Sequence, residues 1–99
     1  MKKFLFAAGM FLCMFVYATE KGTWTGWISD SKCGAEGAKE GHVNCANKCI
    51  KEGAAAVFVV DKKVYTIADQ KKVADFIGKK VTITGTITDD KIEIEKIGQ

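Results

Sequence analysis

The 99-residue chain contains no arginine, no proline and a single histidine, His42. Each absence removes a class of function or organisation. With lysine as the sole cation there is no arginine-rich surface for a phosphate backbone, which requires clustered positive charge. Without proline, low-complexity tracts or internal repeats, nothing marks a linker, and one domain is the economical organisation. With one histidine, no Ser-His-Asp arrangement and no paired-carboxylate pattern, the repertoire for acid–base catalysis is thin, and no catalytic residue is assigned.

The N-terminus carries a different kind of information. Lys2 and Lys3 precede an uncharged stretch from Phe4 to Tyr17. Val16-Tyr17-Ala18 then offers small or medium side chains, before Glu20 and Lys21 restore polarity. That order predicts a secretory signal over residues 1–18 and a mature domain over 19–99 beginning at Thr19, exported to the periplasm or the extracellular space. The apolar run is short for a bilayer span, and no second one follows. An uncleaved anchor is the alternative. A lipidated Cys13 is disfavoured by the bulky Leu12 before it. Loss of Lys2 and Lys3 lowers the net charge from +3 to about +1, well suited neither to nucleic acid nor to an anionic membrane surface. The expectation is no nucleic-acid partner and no membrane contact once the signal is removed. The sequence names no protein partner.

Along residues 19–99, Thr23 to Asp30 alternates as a strand, with Trp24, Gly26 and Ile28 on one side and Thr25, Trp27 and Ser29 on the other. Residues 31–42 read as a Gly-, Lys- and Glu-rich loop. Val43 to Glu52 reads as a short helix ended by Gly53. Ala56 to Val60 is an apolar run suited to a buried strand, Asp61-Lys62-Lys63 a turn, and Val64 to Ala68 the hairpin partner. Asp69 is placed to cap a helix to Ile77 with Val73, Phe76 and Ile77 on its apolar face and Gly78 at its end. Val81, Ile83, Gly85 and Ile87 alternate with Thr82, Thr84, Thr86 and Thr88. Asp89-Asp90 turns the chain, and Ile92 and Ile94 alternate with Glu93 and Glu95. Ile97 breaks that alternation and predicts a bulge or frayed end. The fold expected is mainly β with two short helices. It is an OB-like five-stranded barrel with a helical, cysteine-containing insertion between strands 1 and 2. An open sheet on two helices is the alternative.

The chemistry concentrates in that insertion. Cys45 and Cys49, four apart on the predicted helix, share a face. His42 stands at the helix entry, and Cys33 and Asp30 just past the first strand. Cys33, His42, Cys45 and Cys49 could ligate an ion, with Asp30 orienting them. The spacing is no standard finger pattern, but the donors suit zinc, and thiolate richness suits Cu(I). The competing use is a disulfide from Cys33 to Cys45 or Cys49, worth about 3 kcal/mol, with one thiol left over. A Cys45–Cys49 bridge is disfavoured, because helical i,i+4 Cβ atoms lie about 5–6 Å apart, beyond disulfide reach. Trp27 is expected to pack beneath the insertion rather than to serve as a stacking platform.

The stretch Gly26-Trp27-Ile28-Ser29-Asp30-Ser31-Lys32-Cys33, followed by Cys45-x-x-x-Cys49 and Val57 to Ile97, resembles a group of small exported bacterial proteins that open with Gly-x-Ile-x-Asp-x-x-Cys. The resemblance implies an OB-like β domain with a Cys-bearing insertion and export, and it implies no activity. Three functions follow as expectations. The first is a non-enzymatic exported domain binding a metal ion or small ligand at the Cys/His cluster. The second is a structural or protein-interaction module stapled by a Cys33 disulfide. The third is a thiol redox protein, which Cys-x-x-x-Cys in place of Cys-x-x-Cys argues against.

Overall fold

Period-two alternation of isoleucine or valine with threonine or glutamate forces one oily and one wet face on each strand, and the wet faces then close outward around a shared core. The computed structural model describes residues 19–99. The expected signal segment, residues 1–18 with Cys13, lies outside the described residues. The strands are β1 (Thr19–Asp30), β2 (Ala56–Val60), β3 (Lys63–Ile67), β4 (Lys80–Thr88) and β5 (Lys91–Gly98). They close in the order β1-β2-β3-β5-β4, antiparallel at every seam except β3–β5. This is the five-stranded OB-like barrel. Helix α1 (Val43–Lys51) and a 3-10 turn (Gly34–Gly37) form the insertion between β1 and β2.

The hairpins are set by their turns. Asp61-Lys62 and Asp89-Asp90 each join two strands by two residues, all four with positive φ between 48° and 71°. Such turns match the right-handed twist of the strands they connect. Ile28, Phe58, Ile67, Ile83, Ile92 and Ile94 fill the barrel. β5 changes phase once. Gly85 pairs with Ile94 but Thr84 pairs with Lys96, leaving Glu95 as the extra residue. This bulge returns Ile97 to the core side. Gly85 is required there, because a Cβ on it would collide with the backbone oxygen of Glu93.

β1 is longer than its alternating stretch suggests. Thr19 to Trp27 pairs with β4, and Trp27 to Asp30 pairs with β2. The segment between β3 and β4 also differs from expectation. It is a 3-10 helix, Gln70–Phe76, and the Asp69 side chain does not cap it. Its start is pinned instead by Gln70, whose amide nitrogen donates to the carbonyls of Ala56 and Ile67 while its oxygen accepts from Ala56 N–H. The 3-10 helix held this way still places Val73, and Ile77 directly after it, in the core, as the apolar pattern requires.

Candidate metal centre

β1 ends where the chemistry begins. Its last two residues, Ser29 and Asp30, are fully buried although both are polar. A buried carboxylate must find donors for its oxygens, and Asp30 finds them in the residues that follow it. Its Oδ1 accepts from the backbone N–H of Lys32 at 3.0 Å and of Cys33 at 2.9 Å. Its Oδ2 lies 3.2 Å from Nε2 of His42. Burial alone would push the Asp30 carboxyl up, but the bonds from Cys33 N–H, His42 and Lys32 N–H outweigh it and hold the group below its ordinary value.

His42 is the N-cap residue of α1, yet its ring does not cap the helix. It turns inward to Asp30 and is 7% exposed. Gly37 is what admits it. That glycine is buried, and a Cβ there would meet the Ser29 hydroxyl and lie 2.7 Å from His42 Nε2. Ser29 in turn donates to the Gly34 carbonyl at 2.9 Å, fixing the start of the 3-10 turn. Gly34, with φ 55°, makes the bend after Cys33. Gly37 serves a different purpose: space for the imidazole. On the far side, α1 begins close against Gly78, where a Cβ would lie 2.5 Å from the Val43 Cα.

The result is a convergence of three unlike donors. Oxygen of Asp30, sulfur of Cys33 and nitrogen of His42 all lie within 4.8 Å of one another. Among the described residues this is the one group of three or more such side chains with that proximity. The expected ligands were Cys33, His42, Cys45 and Cys49, with Asp30 only orienting them. The burial runs the other way: Asp30 and His42 are buried, Cys33 and Cys49 half-buried, and Cys45 exposed. Cys45 and Cys49 lie outside the three-donor group. All three described cysteines are free thiols, so no Cys33 disulfide is formed in this state.

Cys33 and Cys49 nevertheless share an environment. Both thiols are pushed up, first by burial and then by the negative charge of Asp30. Lys32 partly offsets this at Cys49. A cation would remove the same penalty that the carboxylate imposes. Sequence reasoning singled out every donor but missed Ser29 and Gly37. The one available signal was a serine in the strand directly before Asp30, at a position that alternation assigns to the outer face.

No protein-family model, curated protein or solved structure matches the chain. No helix among the described residues is long and apolar enough to cross a membrane. Trp27 is half-buried and lines one cleft together with Ala35, Ala38 and Val59.

Proposed function

We propose that this chain is an exported, non-enzymatic domain that holds a zinc ion through Asp30 Oδ2, Cys33 Sγ and His42 Nε2. Export rests on the signal-like residues 1–18. The metal reading rests above all on the three-donor convergence. Zinc bonds to nitrogen and carboxylate oxygen at about 2.0–2.1 Å, so two such ligands at a tetrahedral angle stand about 3.3 Å apart. His42 Nε2 and Asp30 Oδ2 stand 3.2 Å apart already. A mixed oxygen, nitrogen and sulfur set suits zinc better than Cu(I), which favours sulfur throughout.

The division of labour at Asp30 also favours an ion. Oδ1 is held by the turn and Oδ2 is presented to His42, so the carboxylate could turn one oxygen to the metal without releasing the backbone. Cys33 must lose its proton on binding, so affinity falls on acidification.

The barrel face that OB folds commonly use for oligonucleotides is the outside of strands 2 and 3, and its strand 2 half is engaged here by the insertion. Val57 and Val59 point away from the core yet are 4% and 2% exposed. Val64 and Thr66 on the outside of β3 stay exposed. The covering of the strand 2 half of this face supports a domain without a nucleic-acid partner.

Zinc titration of reduced residues 19–99 against a chromophoric chelator tests the proposal. One equivalent is expected to bind, and His42→Ala or Cys33→Ser should weaken binding roughly tenfold or more. Absence of stoichiometric zinc, with thermal stability unmoved by the metal, would overturn the zinc reading. It would leave the Asp30–His42 pair as a staple for the insertion, the structural-module reading.

A further inference from the structure

A tetrahedral ion held by Asp30, Cys33 and His42 has one ligand position left, and two thiols on α1 compete to fill it. The helix decides between them. At 3.6 residues per turn, Cys49 is rotated about 60° from Ala46 and Cys45 about 100° in the same direction. Ala46 is fully buried and marks the side of α1 that faces the barrel. Cys49 therefore leans toward the protein and Cys45 away from it, which agrees with their half-buried and exposed states.

The ends of the helix sharpen the choice. Its N-terminus is tied to Asp30 through His42. Its C-terminus is tied to the residues directly after Asp30. Ser31 N–H donates to the Ala55 carbonyl at 2.8 Å, and Ala55 N–H donates to the Ser31 hydroxyl at 3.1 Å. Ala54 N–H returns to the carbonyl of Cys49 itself at 3.0 Å. Lys32 and Glu52 add an exposed ion pair at 3.8 Å. The strand exit that carries Asp30 and Cys33 is thus clamped at both ends of α1, with Cys49 near the second clamp.

We propose that Cys49, and not Cys45, completes the zinc site, giving an ion one oxygen, one nitrogen and two thiolates. The inference rests on the zinc reading of Asp30, Cys33 and His42 and adds the fourth ligand to it. Cys45 stays free and exposed beside the loaded site. Two thiolates set against a carboxylate also define selectivity: soft enough to reject magnesium and calcium, with too few sulfurs to prefer Cu(I).

Co(II) alone is the probe, because its visible bands report tetrahedral geometry and its near-ultraviolet sulfur-to-metal charge-transfer band scales with the number of thiolates. Reduced residues 19–99 should give a tetrahedral spectrum. Cys49→Ser should cut the charge-transfer band to about half, as expected when one of two sulfurs is lost, and Cys45→Ser should leave it unchanged. An unchanged band in Cys49→Ser, or an equal fall in Cys45→Ser, overturns the assignment of Cys49 while the three-donor reading stands. No tetrahedral spectrum in the unsubstituted protein overturns both. If Cys49→Ser fails to fold, alkylation of the unsubstituted protein decides. Zinc should protect Cys33 and Cys49 from iodoacetamide and leave Cys45 reactive, and protection of Cys45 with reaction at Cys49 reverses the assignment.

Discussion

The β4–β5 hairpin and the insertion between β1 and β2 are built by different forces. In the hairpin, Val81, Ile83, Ile87, Ile92 and Ile94 each bury an apolar side chain, and no single contact dominates. In the insertion, the turn after β1 and the start of α1 both fasten to one carboxylate, Asp30. Apolar burial is spread over many atoms and tolerates local change. A polar anchor concentrates its effect, because removing one partner leaves the others buried and unsatisfied. The hairpin should therefore fail through sterics or cavities and the insertion through the loss of a few polar atoms.

The largest effect is expected in the hairpin at its most constrained point. Gly85→Ala puts a Cβ into the backbone oxygen of Glu93. The bulge has to open or shift, and we expect a loss of about 3–4 kcal/mol or failure to fold, read from urea unfolding. A near-normal midpoint would mean that the bulge is softer than the packing implies.

Asp30→Ala is the matching experiment in the insertion. It deprives Lys32 N–H, Cys33 N–H and His42 of their acceptor, and the expected cost is about 2–4 kcal/mol in the metal-free protein. The same anchor gives a pH dependence with a definite sign. The folded state holds the Asp30 carboxyl below its ordinary value. Its stabilising contribution is thus fully present above about pH 4, the ordinary carboxylate value, and is lost as pH falls through the lower folded value. Asp30→Asn should flatten that acid limb, and an unchanged limb would place the acid sensitivity elsewhere.

Gly37→Ala should give the smallest change in stability and the most selective one. Its Cβ would press on Ser29 and His42 without removing any donor. A cost of about 1–2 kcal/mol is expected, with zinc affinity falling by about tenfold or more as His42 is displaced. Wild-type zinc affinity would show that the imidazole has room to move aside.

The same contrast explains what could be read in advance. The barrel order, the Asp89-Asp90 turn and an irregularity at Ile97 follow from alternation, and alternation is local; the first turn is shorter than the expected Asp61-Lys62-Lys63, because Lys63 already pairs with Val60 in β3. The donors of the insertion were visible as residue types, but their ranking was not. Asp30 stands at the centre because its partners lie 2, 3 and 12 residues away, and such contacts leave no period in the sequence. Cys45 and Cys49 share a face of α1 as their spacing requires. The 40° or so that separates them decides which is exposed, and it matters only once the buried side of the helix is known. Gly37 reads in sequence as a bend, whereas its place in the structure is to leave room for a histidine that arrives 5 residues later.

The most direct test of the central claim is anomalous diffraction at the zinc edge from crystals of residues 19–99 grown with one equivalent of zinc. A single strong peak is expected within bonding distance, about 2.0–2.3 Å, of Asp30 Oδ2, Cys33 Sγ and His42 Nε2. An intact Asp30–His42 hydrogen bond at the 3.2 Å seen here, with no peak between the two side chains, would contradict it.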